Sequence, residues 1–220
     1  YQDAYLHTLA PIVIRHVHRR LAPLRKVVVV DCDNTLWRGV VGEVGAQGIA
    51  FDDVHRELHG VLTRLSESGM LICLCSKNEE SDVWQVFETR EDLGLKREQI
   101  VAAMINWRSK SENLHQLAER LNVGLDSFIF IDDSPIECAE VQAGCPQVLT
   151  LPWPQEPHRG LQLLHHTWEF DVTKGTEEDQ RRTQLYREEF RRLELREEVL
   201  TFRDFIDSLE LEVEINPLTD

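Results

Sequence analysis

The stretch Val27-Val28-Val29-Val30-Asp31-Cys32-Asp33-Asn34-Thr35 decides the fold of this chain. Four consecutive β-branched residues are typical of a strand that is covered on both faces, as in a parallel sheet. Two carboxylates, Asp31 and Asp33, follow this strand, with the thiol of Cys32 between them. Because α/β sheets bind ligands beyond the carboxyl ends of their strands, the stretch predicts an acidic site at the edge of a buried sheet.

Three further apolar runs, at residues 70–75, 100–105 and 128–131, are too short for helices, and each of them ends in polar residues. Segments with helical periodicity separate these runs. Strands that alternate with helices of this length predict right-handed crossovers and hence parallel pairing. The predicted fold class is therefore α/β, with a Rossmann-like parallel sheet flanked by helices.

The chain divides into three predicted regions. Residues 1–26 carry an N-terminal amphipathic helix, which ends before Pro23. Residues 27–150 form the catalytic core, in which the glycine-rich residues 37–52 predict a hairpin flap over the acidic strand end, either a lid or a mere connector. Residues 151–220 hold a proline-rich connector, a long amphipathic helix at residues 177–198 and a terminal strand at residues 211–215, packed on the core.

Composition limits the classes of partner. The 220 residues include 24 Lys and Arg against 39 Asp and Glu, a net charge of −15, which argues against binding to nucleic acid or anionic lipid. No apolar stretch comes near the roughly 18 residues of a membrane span, and no basic and apolar leader opens the sequence. The five cysteines lack zinc-site spacing. We therefore expect a cytoplasmic protein with reduced thiols and, because it begins with Tyr1, a piece of a longer polypeptide.

The polar residues at the strand ends form the predicted site. In chain order they are Asp31 with Asp33, Ser76, Lys110, and Asp132 with Asp133. Carboxylates that converge repel one another and lose hydration, and a divalent cation offsets both costs. Ligand sets made only of oxygen favour Mg²⁺ over Zn²⁺. A cation with a lysine and a hydroxyl beside it binds a phosphoryl group, so the sequence predicts phosphate chemistry.

These motifs resemble the haloacid-dehalogenase superfamily of phosphotransferases over residues 27–148. The superfamily pattern is D-x-D-x-T, a Ser or Thr at a strand end, a Lys and a paired acid. Four segments further resemble the FkbH-like branch, whose domains serve polyketide synthases as glyceryl transferases and phosphatases. They are Asp31-Cys32-Asp33-Asn34-Thr35-Leu36-Trp37, Cys75-Ser76-Lys77-Asn78, Ile105-Asn106-Trp107 with Lys110-Ser111-Glu112-Asn113, and Phe130-Ile131-Asp132-Asp133-Ser134-Pro135.

The resemblance implies a dehalogenase-like core with a small flap after the first strand and a C-terminal helical extension. It also implies that Mg²⁺ is the cofactor and 1,3-bisphosphoglycerate the acyl phosphate substrate. The D-glyceryl group, or D-lactyl in a related reaction, would pass through a cysteine thioester to the phosphopantetheine thiol of an acyl carrier protein. Neighbouring polyketide synthase domains would be the other partners.

Roles for single residues follow from the same resemblance. Asp31 would be a metal ligand and, as in phosphatase relatives, the phosphoryl nucleophile. Asp33 would be the general acid and base, and its backbone carbonyl would be a further metal ligand. Asp132, with Asp133 as the alternative, would complete the metal shell. Ser76 and Lys110 would hold phosphate. Apart from the resemblance, Asn78, Asn106 and Trp37 are candidate substrate ligands, with turn formation as the alternative role of the two asparagines and core packing as that of Trp37.

Cys32 would carry the acyl group, with Cys75 as the alternative thiol. Side chains alternate along a strand, so Cys32 would point away from Asp31 unless the chain already turns there. The flanking carboxylates would also raise the pKa of the thiol, whereas a metal ion and Lys110 would lower it. Two rivals stay open: a plain phosphatase in which Cys32 is a bystander, and a non-catalytic docking module that uses the C-terminal helix.

Overall fold

The computed structural model, which describes residues 2–21, 25–171 and 177–208, contains a five-stranded parallel sheet. Its strands are β1 (Val27–Val30), β2 (Leu71–Ser76), β3 (Ile100–Ile105), β4 (Phe128–Asp132) and β5 (Leu149–Pro152). They lie in the order β3-β2-β1-β4-β5, with every neighbouring pair parallel. The predicted α/β fold class is confirmed, and β1 lies at the centre of the sheet.

Helices connect the strands and cover both faces of the sheet. Before and within the sheet region they are α1 (Gln2–Leu21), α2 (Val41–Val44), α3 (Asp53–Glu67), α4 (Glu80–Thr89), α5 (Lys110–Leu121) and α6 (Pro135–Gly144). After β5 they are α7 (Pro157–His166) and α8 (Glu177–Ser208). Short 3-10 helices lie at Arg97–Gln99, Leu125–Ser127 and Trp168–Phe170.

The central strand β1 is fully buried, and its side chains alternate between two apolar clusters. Val28 lies in a cluster with Leu58 of α3, on one face of the sheet. Val29 lies in a second cluster with Leu114 of α5, on the other face. Burying one such aliphatic side chain stabilises the fold by roughly 1.5–3 kcal/mol, so a run of four valines suits a strand that is covered on both faces.

The segments outside the predicted core also contact it. α7 packs on α3, and α8 packs on β3 and α5. α1 contacts the 3-10 helix Trp168–Phe170, where the ring of His18 meets that of Trp168 edge to face at 5.1 Å. In residues 2–21, 25–171 and 177–208, no helix has both the length and the apolar character needed to cross a membrane. The division into three domains stays a prediction.

Two local predictions need correction. Residues 37–52 do not form a hairpin of two strands, because they contain the short helix α2 and one isolated antiparallel bridge, between Arg38 and Ala50. The fifth strand, β5, lies where the sequence predicted the start of a proline-rich connector. The long C-terminal helix was predicted correctly and extends to Ser208, and the predicted strand at residues 211–215 lies outside the described residues.

Candidate active site

The carboxyl ends of β1, β2 and β4 bring the predicted polar residues to one edge of the sheet. Asp31 directly follows β1, Ser76 is the last residue of β2, and Asp132 is the last residue of β4. The three strands are neighbours and run parallel. Asp31, Ser76 and Asp132 are all buried. Sequence reasoning therefore placed these side chains correctly.

Lys110 is the cation of this site. It begins α5 and is only 2% exposed. Its Nζ donates hydrogen bonds to Asp31 Oδ1 at 2.5 Å and to the carbonyl of Cys75 at 2.5 Å, and it lies 3.2 Å from Asp132 Oδ2. Burial alone would lower the pKa of Lys110, yet the charges of Asp31 and Asp132 raise it above its ordinary value. The side chain therefore stays protonated.

Three carboxylates surround one point beside Lys110. Asp31, Asp132 and Asp133 each offer an oxygen, and these oxygens lie within 4.8 Å of one another. Burial raises the pKa of Asp31 to about 6, and it does the same to Asp133, where the charge of Asp31 adds to the effect. Burial also raises the pKa of Asp132. One lysine does not neutralise three carboxylates, so the cluster carries surplus negative charge.

This cluster fits a divalent cation. Asp132 Oδ1 accepts a hydrogen bond from the Ser134 amide at 2.8 Å. Asp132 Oδ2 is buried and, among the described residues, has an ion pair with Lys110 but no hydrogen bond. An all-oxygen donor set with surplus negative charge and a buried oxygen without a hydrogen bond is what a hard cation requires. Asp31, Asp132 and Asp133 are the residues that would hold it.

Asp33 lies apart from that cluster. Its carboxylate accepts three hydrogen bonds, from Trp37 Nε1 at 2.8 Å, the Val41 amide at 3.0 Å and Asn78 Nδ2 at 3.0 Å. The three carboxylates that meet at one point do not include it. The predicted contact of Asp33 with metal therefore depends on its backbone carbonyl and stays a prediction.

Ser76 joins the carboxylate site to the nearby thiol. Its hydroxyl lowers the pKa of both Asp31 and Cys32, and its Oγ accepts a hydrogen bond from Asn78 Nδ2 at 3.0 Å. Asn78 in turn donates to Asp33. Asn78 thus links Asp33 and Ser76 by hydrogen bonds, and Ser76 interacts electrostatically with Asp31 and Cys32.

Both candidate thiols are fully buried. Cys32 lies in the apolar cluster with Leu36 and Trp37, and burial and the charge of Asp31 raise its pKa well above the ordinary value, against a lowering by Ser76 and Lys110. Burial raises the pKa of Cys75 to about 12. In this structure neither sulfur is therefore an exposed thiolate.

Two predicted substrate ligands have their polar atoms engaged within the protein. Asn106 and Asn113 exchange two amide hydrogen bonds, of 3.2 and 3.0 Å, and Asn106 Oδ1 also accepts from the Arg108 amide. Trp37 is fully buried, and its N–H group binds Asp33. The structure thus places Asn106 in the turn before α5 and Trp37 beside Asp33.

Sequence reasoning missed two residues that shape the site. Glu140, on α6, accepts hydrogen bonds from the amides of Lys110 at 3.2 Å and Ser111 at 3.0 Å, and so holds the first turn of α5. No local pattern marks this residue. Thr35 Oγ1 accepts from the amide of Asp133 at 3.1 Å. The D-x-D-x-T motif contains that threonine and could have indicated its role.

Two helix N-termini also contribute to the site. Ser109 caps α5 by accepting from the Glu112 amide, and Ser134 caps α6 by accepting from the Glu137 amide. The helices that follow begin next to Lys110 and Asp132. Free N–H groups and the helix dipole make such N-termini favourable for anions, so a phosphate group would be stabilised here.

Comparison with solved structures gives an independent view of the fold. The phosphatase domain in the N-terminal part of the protein BF1531 from Bacteroides fragilis, complexed with Mg, is 28% identical and has a TM-score of 0.66. The match covers 74% of this chain and 44% of that chain, so the present chain spans less than half of its length. No protein-family model and no curated protein sequence matches.

Two more distant matches are a dehalogenase-family enzyme and a phosphatase. A HAD family enzyme from Bacteroides thetaiotaomicron, in complex with magnesium and inorganic phosphate, is 14% identical over 58% of this chain and 93% of its own, with a TM-score of 0.43. D,D-heptose 1,7-bisphosphate phosphatase from B. bronchiseptica is 12% identical over 69% and 90%, with a TM-score of 0.46. Such distant likeness carries no argument about activity. The phosphatase domain from Bacteroides fragilis, with its TM-score of 0.66, shares the α/β fold of this chain.

Proposed function

We propose that this chain is a Mg²⁺-dependent phosphoryl-transfer enzyme of the haloacid-dehalogenase type, which releases phosphate from a small phosphorylated molecule. The observation that carries the proposal is the meeting of the Asp31, Asp132 and Asp133 carboxylates within 4.8 Å, with Lys110 Nζ in contact with two of them. The structural neighbour in Bacteroides fragilis, a phosphatase domain complexed with Mg, supports the choice of metal and reaction.

Asp31 would be the nucleophile. One of its oxygens attacks phosphorus while the bond from phosphorus to the leaving oxygen breaks, and Asp33 donates a proton to that oxygen. Water then attacks the aspartyl phosphate, Asp33 takes a proton from the water, and phosphate leaves with Asp31 regenerated. When bound, Mg²⁺ would supply positive charge to the phosphoryl oxygens.

The remaining residues would bind and orient the phosphate. Lys110 already donates to Asp31, and its charge also offsets the charge that a phosphate brings. Ser76 lies next to Asp31 and would donate to a phosphate oxygen. The N-terminal amides of α6 follow Asp132 directly and would add neutral donors. All of these groups are held by the protein before substrate binds, as preorganised stabilisation requires.

A second candidate function is acyl transfer from an acyl phosphate, as the FkbH-like resemblance implies. It is favoured by the position of Cys32, which directly follows Asp31 in the chain and whose pKa is lowered by the same Ser76 hydroxyl that lowers the pKa of Asp31, so a thiol lies close to the proposed phosphate site. The Cys32 thiolate would attack the acyl carbon, the bond from carbon to the phosphate oxygen would break, and phosphate would leave. A phosphopantetheine thiol of an acyl carrier protein would then take the acyl group by thioester exchange.

Acyl transfer ranks second because of the state of the thiol. A buried Cys32 with a raised pKa is a poor nucleophile, and its activation would require bound metal and displacement of nearby apolar side chains. The glyceryl group of 1,3-bisphosphoglycerate is the first acyl group to test, and the lactyl group is the second.

The first experiment tests the phosphoryl nucleophile. Phosphate release from acetyl phosphate is measured with Mg²⁺ and with EDTA. We expect Asp31→Asn to lower the rate by about 10³-fold or more, because loss of a covalent nucleophile removes the reaction path. Asp126→Asn, a change at a residue distant from the site, is the matched control. Equal rates for the two variants, or release without metal, would reject the proposal, as would an inactive unmodified chain, which would leave a non-catalytic docking module.

The second experiment separates the two candidate functions. Intact-protein mass spectrometry is performed after incubation with 1,3-bisphosphoglycerate, with and without acyl carrier protein. A glyceryl adduct that Cys32→Ala removes and Cys145→Ala retains, together with glyceryl on the carrier protein, would establish acyl transfer. Phosphate release with no adduct in any variant would leave hydrolysis alone.

A further inference from the structure

The carboxylate of Asp33 is held from two sides by different segments. Its Oδ1 accepts from Trp37 Nε1 at 2.8 Å and from the Val41 amide at 3.0 Å, and both donors belong to residues 37–52, the flap segment. Its Oδ2 accepts from Asn78 Nδ2 at 3.0 Å, which lies in the loop after β2. A carboxylate oxygen can accept about two hydrogen bonds. Both positions of Oδ1 are therefore occupied, whereas Oδ2 can accept one more hydrogen bond.

The flap segment is firmly attached to the protein. Trp37 is fully buried, and Val41, Ile49 and Phe51 lie in the same apolar cluster. Arg90 Nη1, from the end of α4, donates to the carbonyls of Ala46 and Ile49, each at 2.9 Å. The guanidinium of Arg90 also lies 4.8 Å from the centre of the Phe51 ring. The two donors to Oδ1 therefore come from a packed segment that holds them in place.

We propose that Trp37 is a positioning residue: with the Val41 amide it occupies Asp33 Oδ1 and so assigns proton transfer to Oδ2, on the side of Ser76. This inference rests on the proposed phosphoryl transfer. Oδ2 shares the Asn78 amide group with Ser76 Oγ, at 3.0 Å from each, so it is the Asp33 oxygen nearest to the phosphate-binding residues by hydrogen-bond connection. Rotation of the Asp33 carboxylate would break its hydrogen bonds to Trp37 and to the Val41 amide, and these two bonds therefore oppose rotation.

If Trp37 positions Oδ2 in this way, it controls how strongly the rate depends on the leaving group of the substrate. As the bond from phosphorus to the leaving oxygen breaks, the proton on Oδ2 passes to that oxygen. An alkoxide is a strong base and needs this proton, whereas a nitrophenolate or a carboxylate leaves without it. Misplacement of Oδ2 should therefore slow alkyl phosphates far more than aryl or acyl phosphates. 1,3-Bisphosphoglycerate carries one acyl phosphate anhydride and one alkyl phosphate ester, so a correctly placed Oδ2 would matter for release of the alkyl phosphate.

The test compares leaving groups across two tryptophan variants. Steady-state phosphate release is measured with Mg²⁺ for β-glycerophosphate, p-nitrophenyl phosphate and acetyl phosphate. For Trp37→Phe we expect kcat to fall about tenfold or more with β-glycerophosphate and less than about threefold with the other two, at nearly constant KM. Trp84→Phe is the matched control, because the Trp84 indole also donates to a carboxylate, Glu80 Oε1 at 2.8 Å, but at a half-buried site on α4.

A second variant guards against a folding defect. Replacement of Trp37 by 3-benzothienylalanine removes the indole N–H and keeps the ring shape, and it should give the same selective loss. An equal loss with all three substrates, or no loss with any, would overturn the positioning role and leave the proposed function intact. An unmodified chain that releases phosphate from none of the three would overturn both.

Discussion

Two neighbouring residues at the end of β1 lie in opposite environments. Asp31 lies in what we call the charged face, formed with Lys110, Asp132 and Asp133. Cys32 belongs to the apolar face, where it packs with Leu36 and Trp37 beneath α3. The alternation of side chains along a strand produces this split over a single residue.

The difference shows which groups at the end of β1 are in a state that can react. The charged face holds buried ionised groups next to a position for a cation, which suits phosphoryl transfer. The apolar face holds a thiol whose pKa is raised by burial, which suits packing. Ser76 is the link between them, since its hydroxyl lowers the pKa of both Asp31 and Cys32. The two proposed functions differ in whether the Cys32 thiol must enter the charged face.

The largest expected effect comes from removing the cation of the charged face. Lys110→Met leaves the Asp31 and Asp132 carboxylates buried without their partner, and breaking a buried ion pair in this way costs about 3–5 kcal/mol. Urea denaturation in EDTA measures this loss, and added Mg²⁺ should restore part of it by replacing the lost charge. Lys96→Met, at an exposed lysine, is the control. Similar free energies of unfolding for both variants would mean that the charged face does not need a cation.

The apolar face should respond to acid through His59. Its Nε2 lies 2.8 Å from the carbonyl of Leu36, its Nδ1 accepts from the Gly94 amide at 3.3 Å, and burial lowers its pKa to about 4. The pKa of histidine in the unfolded chain is about 6.5. The stabilisation of the folded chain by neutral His59 is therefore complete above pH 6.5 and is lost as the pH falls towards 4. The loss should reach about 3 kcal/mol by pH 4.

Comparison of variants isolates this effect of His59. His59→Gln keeps a side-chain donor for Leu36 and removes the titration, so the difference in unfolding free energy between unmodified chain and variant should shrink as the pH falls. His166→Gln, at an exposed histidine of α7, should leave the pH curve unchanged. Parallel curves for unmodified chain and His59→Gln would show that acid does not act through this residue.

The sequence was sufficient to predict the charged face. Polar residues after successive buried runs, together with parallel pairing, place Asp31, Ser76 and Asp132 at one edge, and the structure agrees. The alternation rule also correctly indicated that Cys32 turns away from Asp31. These inferences depend on strand periodicity, which is a local property that a sequence displays directly.

Features that depend on tertiary contact could not be predicted in this way. Glycines at residues 37–52 are compatible with a hairpin, but Gly48 lies against Val44 of α2, where a Cβ would come within 2.3 Å of the Val44 carbonyl oxygen. β5 was missed because Pro152 indicates a connector, yet a proline at the end of an edge strand breaks no ladder. Glu140 acts through the amides of another helix, and no spacing in the sequence reveals that contact.

Metal affinity offers a smaller test of the charged face. The pKa values of Asp31 and Asp133 are raised to about 6, first by burial, so both carboxyls hold protons below that pH. Mg²⁺ must displace these protons, and its affinity should therefore fall about a hundredfold between pH 7 and pH 5. Calorimetric titration measures the change, and Asp133→Asn should reduce the slope with pH. A Mg²⁺ affinity that stayed constant between pH 7 and pH 5 would contradict the view that the carboxylate cluster carries surplus negative charge at pH 7.

The smallest change is expected on the apolar face, where thiol labelling probes Cys32 directly. All five cysteines are buried and reduced, so a thiol reagent should label the native chain slowly and all five sulfurs quickly in denaturant. Rapid native labelling of one thiol, lost in Cys32→Ala and retained in Cys138→Ala, would show that Cys32 leaves the apolar face. Because the link through Ser76 would then deliver a reactive thiol next to the phosphate site, that result would move acyl transfer ahead of hydrolysis. Slow labelling of Cys32 both with and without Mg²⁺ and phosphate would show that Cys32 stays in the apolar face.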